Sequence, residues 1–169
     1  SDVVGDSIDV IASGPTVHDF TTYQDAMAIL TKYNINREVP LSIINYLKKG
    51  AGGLYSAPPD SNSEYFKNIY NFIVGSNKIA LKAAKNKSDE MGLHSIIVTD
   101  ELEGDSVKAA DYMIETALKI QKDKKIQKPV CLLFGGETTI WINGNGTGGR
   151  NQHLALHAAL ILKGKKGIT

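Results

Sequence analysis

Residues 94–134 read HSIIVTDELEGDSVKAADYMIETALKIQKDKKIQKPVCLLF. Two short apolar runs, HSIIV at 94–98 and PVCLLF at 129–134, flank a longer segment, VKAADYMIETALKIQK at 107–122, whose apolar residues recur at helical spacing. Strand, helix and strand in that order make a βαβ unit, and two strands joined through a helix run parallel. Upstream, NIYNFIV at 68–74 reads as a further strand, followed by the helix NKIALKAAKNKSDEM at 77–91, which Gly92 stops. Downstream, ETTIWIN at 137–143 reads as an added strand, paired back through a turn at Gly135-Gly136, because Thr, Ile and Trp suit a pleated surface. The expected class is therefore α/β, an open, mostly parallel Rossmann-like sheet with flanking helices and an added β-hairpin strand.

The N-terminal third carries no such alternation. Thr21 or Thr22 can cap a helix over YQDAMAILTKY at 23–33, with Asp25 in its first turn. Pro40 opens a second helix, PLSIINYLKK, which Gly50 closes. The Gly-, Pro- and Ser-rich stretch GAGGLYSAPPDSNSEYF at 50–66 is the one credible linker. The expected division is residues 1–63, part of a first Rossmann-like domain with its linker, and residues 64–169, the βαβ unit with the C-terminal segment.

Bulk properties narrow the function classes. The 169 residues carry 19 Lys and Arg against 18 Asp and Glu, for a formal charge of +1. The charges are interspersed, which argues against a nucleic-acid partner. The one basic run, Lys122, Lys124, Lys125 and Lys128, follows a predicted helix C-terminus, where cations suit the helix dipole. The longest apolar helix stretch, LALHAALIL at 154–162, is far shorter than the ~20 residues of a membrane span. Cys131 is the only cysteine, so no internal disulfide exists; inside VCLLF it reads as an inert thiol in a reducing compartment. The opening at Ser1 and the close on GKKGIT read as a piece of a longer chain.

In an open α/β sheet, ligands bind beyond the carboxyl ends of the strands. Those ends are expected at Gly75-Ser76-Asn77, at Thr99-Asp100-Glu101 and at Gly135-Gly136-Glu137-Thr138. The third feeds the glycine-rich run NGNGTGGRNQ at 143–152. Gly144, Gly146 and Gly149 satisfy G-x-G-x-x-G, yet no acidic residue follows at the Rossmann distance, and no Lys-Ser/Thr completes a P-loop. The physics beneath those motifs still applies. Glycines let backbone N–H groups approach a ligand, a helix starting near Arg150 or Asn151 offers unpaired donors, and Arg150 adds a planar fork for carboxylate or phosphate. An anion site competes here with a flexible hairpin loop bearing a surface arginine. His153 and His157, four apart on one helical face, could bind a metal only with a third ligand nearby.

Asp2, Asp6 and Asp9 cluster ahead of Ser13-Gly14-Pro15. They could hold Mg²⁺ through water or accept a proton from a substrate hydroxyl; the plainer reading is a solvated acidic turn. TDELEGDS at 99–106 reads as an acidic loop whose Asp100, Glu101, Glu103 and Asp105 serve chiefly to cap the following helix.

Three stretches together resemble a known family. SDVVGDSIDVIASGPT at 1–16, FIVGSNKIALKAA at 72–84 and above all GGETTIWINGNGTGGRNQHLAL at 135–156 are similar to the glycerate 2-kinases that carry a MOFRL domain. The resemblance implies an ATP-dependent kinase that phosphorylates D-glycerate, 2-phosphoglycerate being the favoured product. It implies ATP and Mg²⁺ as cofactors, a cytoplasmic location (mitochondrial in some eukaryotes) and an active site in a cleft between two domains. By similarity, Arg150 is the essential arginine, and Asp2, Asp6, Ser13 and Gly14 fall in the first cleft loop. Gly135, Gly136, Glu137, Thr138, Gly148, Gly149 and Asn151 would line the opposite wall. Asp2 would hold the substrate hydroxyl or Mg²⁺.

Two residues depart from the family pattern: His153 stands where an acid is usual, and His18 where proline is usual. The lysine-bearing glycine-rich segment of the family is absent from these residues, so this chain alone is expected to be inactive. The exposed sheet edge leaves a homodimer open. The competing reading is a non-catalytic module that binds a phosphorylated metabolite or a partner.

Overall fold

The computed structural model describes residues 3–169. They fall into two compact units, residues 8–72 and residues 73–169 together with the N-terminal stretch to Ser7.

The smaller unit is helical. α1 (Tyr23–Lys32) starts at Thr22, whose side chain accepts from the Asp25 amide while Asp25 accepts from the Thr22 amide, a reciprocal capping box. The Thr22 contacts hold the Asp25 carboxyl below its ordinary range. α2 (Leu41–Ala51) follows Pro40 and packs on α1. Gly50 does not end this helix. It lies buried in the last turn, where a Cβ would stand 2.6 Å from the Tyr23 ring, so the glycine is there for the close approach of α1. Tyr46 stacks on Tyr55 at 4.7 Å and meets Tyr23 edge-on at 5.9 Å, an aromatic cluster at the exposed margin of the α1–α2 contact.

The larger unit holds the sheet. α3 (Asn77–Glu90), β1 (His94–Asp105), α4 (Ser106–Lys122), β2 (Val130–Thr139) and α5 (Arg150–Leu162) follow in order. β1 and β2 pair in parallel through the α4 crossover, as the spacing of residues 94–134 requires. α3 packs against both strands and α4 does the same, while α5 packs on α4 and β2. Leu81, Ala109, Ala110 and Ile114 form the buried apolar contacts between helices and sheet. The α/β class and the parallel sheet with flanking helices stand.

Three details differ from expectation. Residues 68–74 form no strand: Phe72 and Val74 lie exposed, with no ladder partner among the described residues. Residues 99–105 are not a loop but the second half of β1, past irregularities between Ile97 and Leu102. The expected turn at Gly135-Gly136 is absent as well; β2 runs straight through both glycines to Thr139, and residues 140–149 are irregular, with no added hairpin strand. The glycines serve close packing instead. At Gly136, with φ of 150°, a Cβ would strike the Leu102 backbone of β1, and at Gly135 it would meet Asn77 and, at 2.7 Å, Leu81 of α3.

A polar knot ties α3 to the start of β1. Lys85 Nζ donates to Asp89 at 2.7 Å and to the Ser95 carbonyl at 2.9 Å, and the Ser95 amide donates to Asp89 at 3.1 Å. Lys85 first, then Ser95, hold the Asp89 carboxyl below its ordinary value of 3.8. Because the folded value is the lower one, this stabilisation is present above 3.8 and is lost as pH falls below it. Asp89→Asn is therefore expected to lower the thermal midpoint at pH 7, with the gap to wild type narrowing at pH 3. A gap of constant size would show that the carboxylate charge contributes nothing.

Candidate anion site at the end of β2

The last residues of the strands set the frame of the site. Glu103, Gly104 and Asp105 of β1 lie in register with Glu137, Thr138 and Thr139 of β2. Glu103 and Glu137 are thus neighbours across the ladder, and like charges there disfavour each other. Arg150 offsets one of them: its Nη2 forms an ion pair with Glu137 Oε1. The pair is partly exposed, at 47% for Arg150 and 32% for Glu137, so it contributes about 0–1 kcal/mol to stability. Its effect is to aim the guanidinium at the carboxyl end of β2.

Arg150 is also the first residue of α5, where a cation faces the positive end of the helix dipole. That turn contains no acidic residue, and its N-cap, Gly149, makes no side-chain capping bond. The helix therefore begins with unfilled donors and a surplus of positive potential, which an arriving anion would relieve. Thr147, Gly148, Gly149, Arg150, Asn151 and Gln152 line an open concavity of about 440 Å³ here. Cβ atoms at Gly144, Gly146 and Gly149 would meet nothing within 4 Å, so the glycines leave the backbone open to approach.

Of the expected site residues, Gly135, Gly136, Glu137 and Thr138 all belong to the end of β2, with Thr138 buried. Arg150 joins this group through Glu137, and Gly148, Gly149 and Asn151 line the concavity beside it. Asp6 lies exposed in the N-terminal stretch of the same unit. Ser13 and Gly14 belong to the helical unit. There Ala12, Ser13 and Gly14 take φ values of 52°, 63° and 55°, three successive left-handed residues. For alanine and serine this conformation costs about 1–2 kcal/mol each. Gly14 is required, since a Cβ would stand 2.5 Å from the Asp9 carbonyl oxygen. Asp2 lies outside the described residues.

The donor set fits an anion such as a carboxylate or phosphate: a two-pronged cation, open amides and a helix start. It does not by itself fit Mg²⁺. Among the described residues, no three His, Cys, Asp or Glu side chains are placed to hold a metal ion. The histidine pair on α5 is used otherwise. His153 Nδ1 lies 2.9 Å from Ser106 Oγ, and His157 Nε2 lies 3.0 Å from Asp111 Oδ1, so both join α5 to α4. Sequence reasoning missed Ser106 and Asp111 as their partners; only fold-level pairing across 46 or 47 residues reveals them. Cys131 is free and half-buried within β2. Among the described residues, no helix is long and apolar enough to cross a membrane.

Residues 130–169 match the MOFRL family, and residues 1–48 match a domain of unknown function, DUF4147. A glycerate 2-kinase of Pyrococcus horikoshii is 39% identical over 94% of this chain and 36% of its own length. A D-glycerate 2-kinase of Thermotoga maritima is 34% identical over 99% of this chain and 37% of its own. The human glycerate kinase is 30% identical over 96% of this chain. The crystal structure of glycerate kinase from Thermotoga maritima superposes with a TM-score of 0.75 at 34% identity, over 99% of this chain and 37% of that one. This chain thus spans a little over a third of the length of these two prokaryotic relatives.

Proposed function

We propose, from the premise that this chain belongs to the glycerate 2-kinase family with a MOFRL segment, that it supplies part of a phosphotransferase site acting on D-glycerate. The observation that carries this reading is the ion pair that holds Arg150 against Glu137 at the carboxyl end of β2, beside the concavity of residues 147–152.

In this reading Arg150 grips the anionic oxygens of the substrate with the guanidinium donors that Glu137 leaves free. The amides of Gly148, Gly149 and Asn151 add neutral donors that need no reorganisation when charge arrives. The end of β2, from Gly135 to Thr138, forms the floor on which Glu137 fixes the arginine. Ser13, Gly14 and Asp6 are proposed as further binding residues of the complete protein on the family resemblance alone. Asp2 holds the acceptor hydroxyl or, with groups from elsewhere in the complete protein, Mg²⁺. ATP supplies the γ-phosphoryl group, and 2-phosphoglycerate is the product. Phosphoryl transfer depends mainly on positioning and charge neutralisation, which is what these residues offer. This chain by itself is proposed to lack turnover, and its site is proposed to work in the cytoplasm.

The test is to incubate the complete protein with ATP, Mg²⁺ and D-glycerate and to identify the phosphorylated carbon by NMR. Glycerate-dependent formation of 2-phosphoglycerate is the expected result. Calorimetric binding of phosphoglycerate with no turnover would replace this reading by a non-catalytic metabolite-binding module.

A further inference from the structure

We infer that His153, through its bond to Ser106, is a positioning residue that sets the first turn of α5 and thereby the reach of Arg150. The inference rests on the proposed role of Arg150 as the anion grip.

No side-chain cap fixes the start of α5 from within. Gly149 makes no such bond, and the open positions at Gly144, Gly146 and Gly149 place few limits on the loop before it. The first turn must therefore be held from its flank. His153 lies one turn into the helix, where its amide donates to the Gly149 carbonyl at 2.9 Å. Its ring reaches Ser106 Oγ at 2.9 Å, and Ser106 is 0% exposed. Ser106 is itself fixed. It opens α4 directly after Asp105, whose carboxylate accepts from the Val107 and Lys108 amides at 2.9 and 3.3 Å.

The ring of constraints then closes on the site. Asp105, the last residue of β1, pairs in register with Thr139, two residues beyond Glu137 on β2. Glu137 holds Arg150, and Arg150 lies three residues from His153 on the same helix. Strand end, helix cap, buried hydroxyl, imidazole and guanidinium thus form one circuit. Further along, His157 meets Asp111 at 3.0 Å and fixes the rotation of α5 about its axis. Loss of the His153–Ser106 bond would free the first turn to shift, and displacements of about 1 Å at a reacting centre can cost up to ~100-fold in rate.

The experiment measures steady-state phosphorylation of D-glycerate by the complete protein as wild type and as Arg150→Ala, His153→Leu, His153→Gln and Ser106→Ala. His153→Leu is expected to lower kcat/KM by about tenfold, within the range of one lost positioning bond. Ser106→Ala, which deletes the same bond from the other side with one small atom, is expected to match it. His153→Gln, whose amide can still meet the serine, is expected to recover activity to within about threefold at a thermal midpoint equal to that of His153→Leu. A purely structural histidine would not show rescue at equal stability. If Ser106→Ala keeps wild-type kcat/KM while Arg150→Ala is inactive, the positioning role is overturned and the anion grip stands. If Arg150→Ala keeps wild-type activity, the anion grip falls and the positioning role falls with it.

Discussion

Arg150→Ala in the complete protein is expected to lower kcat/KM for D-glycerate by about 10²–10³-fold, the usual effect of removing one preorganised donor to transition-state charge. Two losses combine. The two-pronged donor disappears, and Glu137 loses the cation that offsets it. An unpaired carboxylate would then lie beside Glu103 at the strand end, repelling the anion that the site is proposed to hold. Arg150→Lys keeps a charge but not the planar fork, so an intermediate loss is expected. Folding should hardly change in either variant, since a partly exposed ion pair contributes about 0–1 kcal/mol. Kinetics paired with thermal unfolding separate these effects. Arg150→Ala within threefold of wild type would remove Arg150 from the site.

Gly136→Ala is expected to have the largest effect on folding, a loss of roughly 3–5 kcal/mol. Two causes act on one methyl group. The residue holds φ of 150°, which L side chains rarely adopt, and the new Cβ would drive into the Leu102 backbone, with the carbonyl carbon at 2.7 Å. The obstacle is a strand backbone held in the ladder, which cannot rotate aside as a side chain would. Gly144→Ala provides the contrast. Its Cβ would meet nothing within 4 Å, so the substitution should fall within about 1 kcal/mol of wild type. Urea unfolding of both variants checks this. Equal midpoints would show that β2 does not approach β1 as closely at Gly136 as described.

Some of this architecture is legible in the sequence, for local reasons. The βαβ unit at 94–134 follows from the switch between strand-like and helical periodicity. Thr22 with Asp25, and Asp105 before α4, are capping chemistry complete within a few residues. The start of a helix at Arg150 follows from the glycines before it and the apolar spacing after it. Contacts from distant segments were not legible. NIYNFIV has the composition of a strand, but whether a neighbour exists to pair with it is not written in seven residues. Gly135-Gly136 resembles a turn because glycine serves turns and close backbone contacts equally; only Leu102 and Leu81 decide between them. The acidic run 99–105 resembles a loop because its charge masks a strand that carries the ladder beyond the apolar core. At the site, sequence marked Arg150 and Glu137 separately. Their ion pair, and the Ser106 partner of His153, arise only when the strands are in register.

The most direct test of an anion grip at the end of β2 is calorimetric titration of 2-phosphoglycerate into the complete protein and into its Arg150→Ala variant, at one ionic strength. Loss of a charge-assisted, two-pronged contact should raise Kd by about 100-fold, with the variant still folded. Equal dissociation constants in the two proteins would mean that the guanidinium held by Glu137 does not touch the ligand, and the proposed site would have to lie elsewhere.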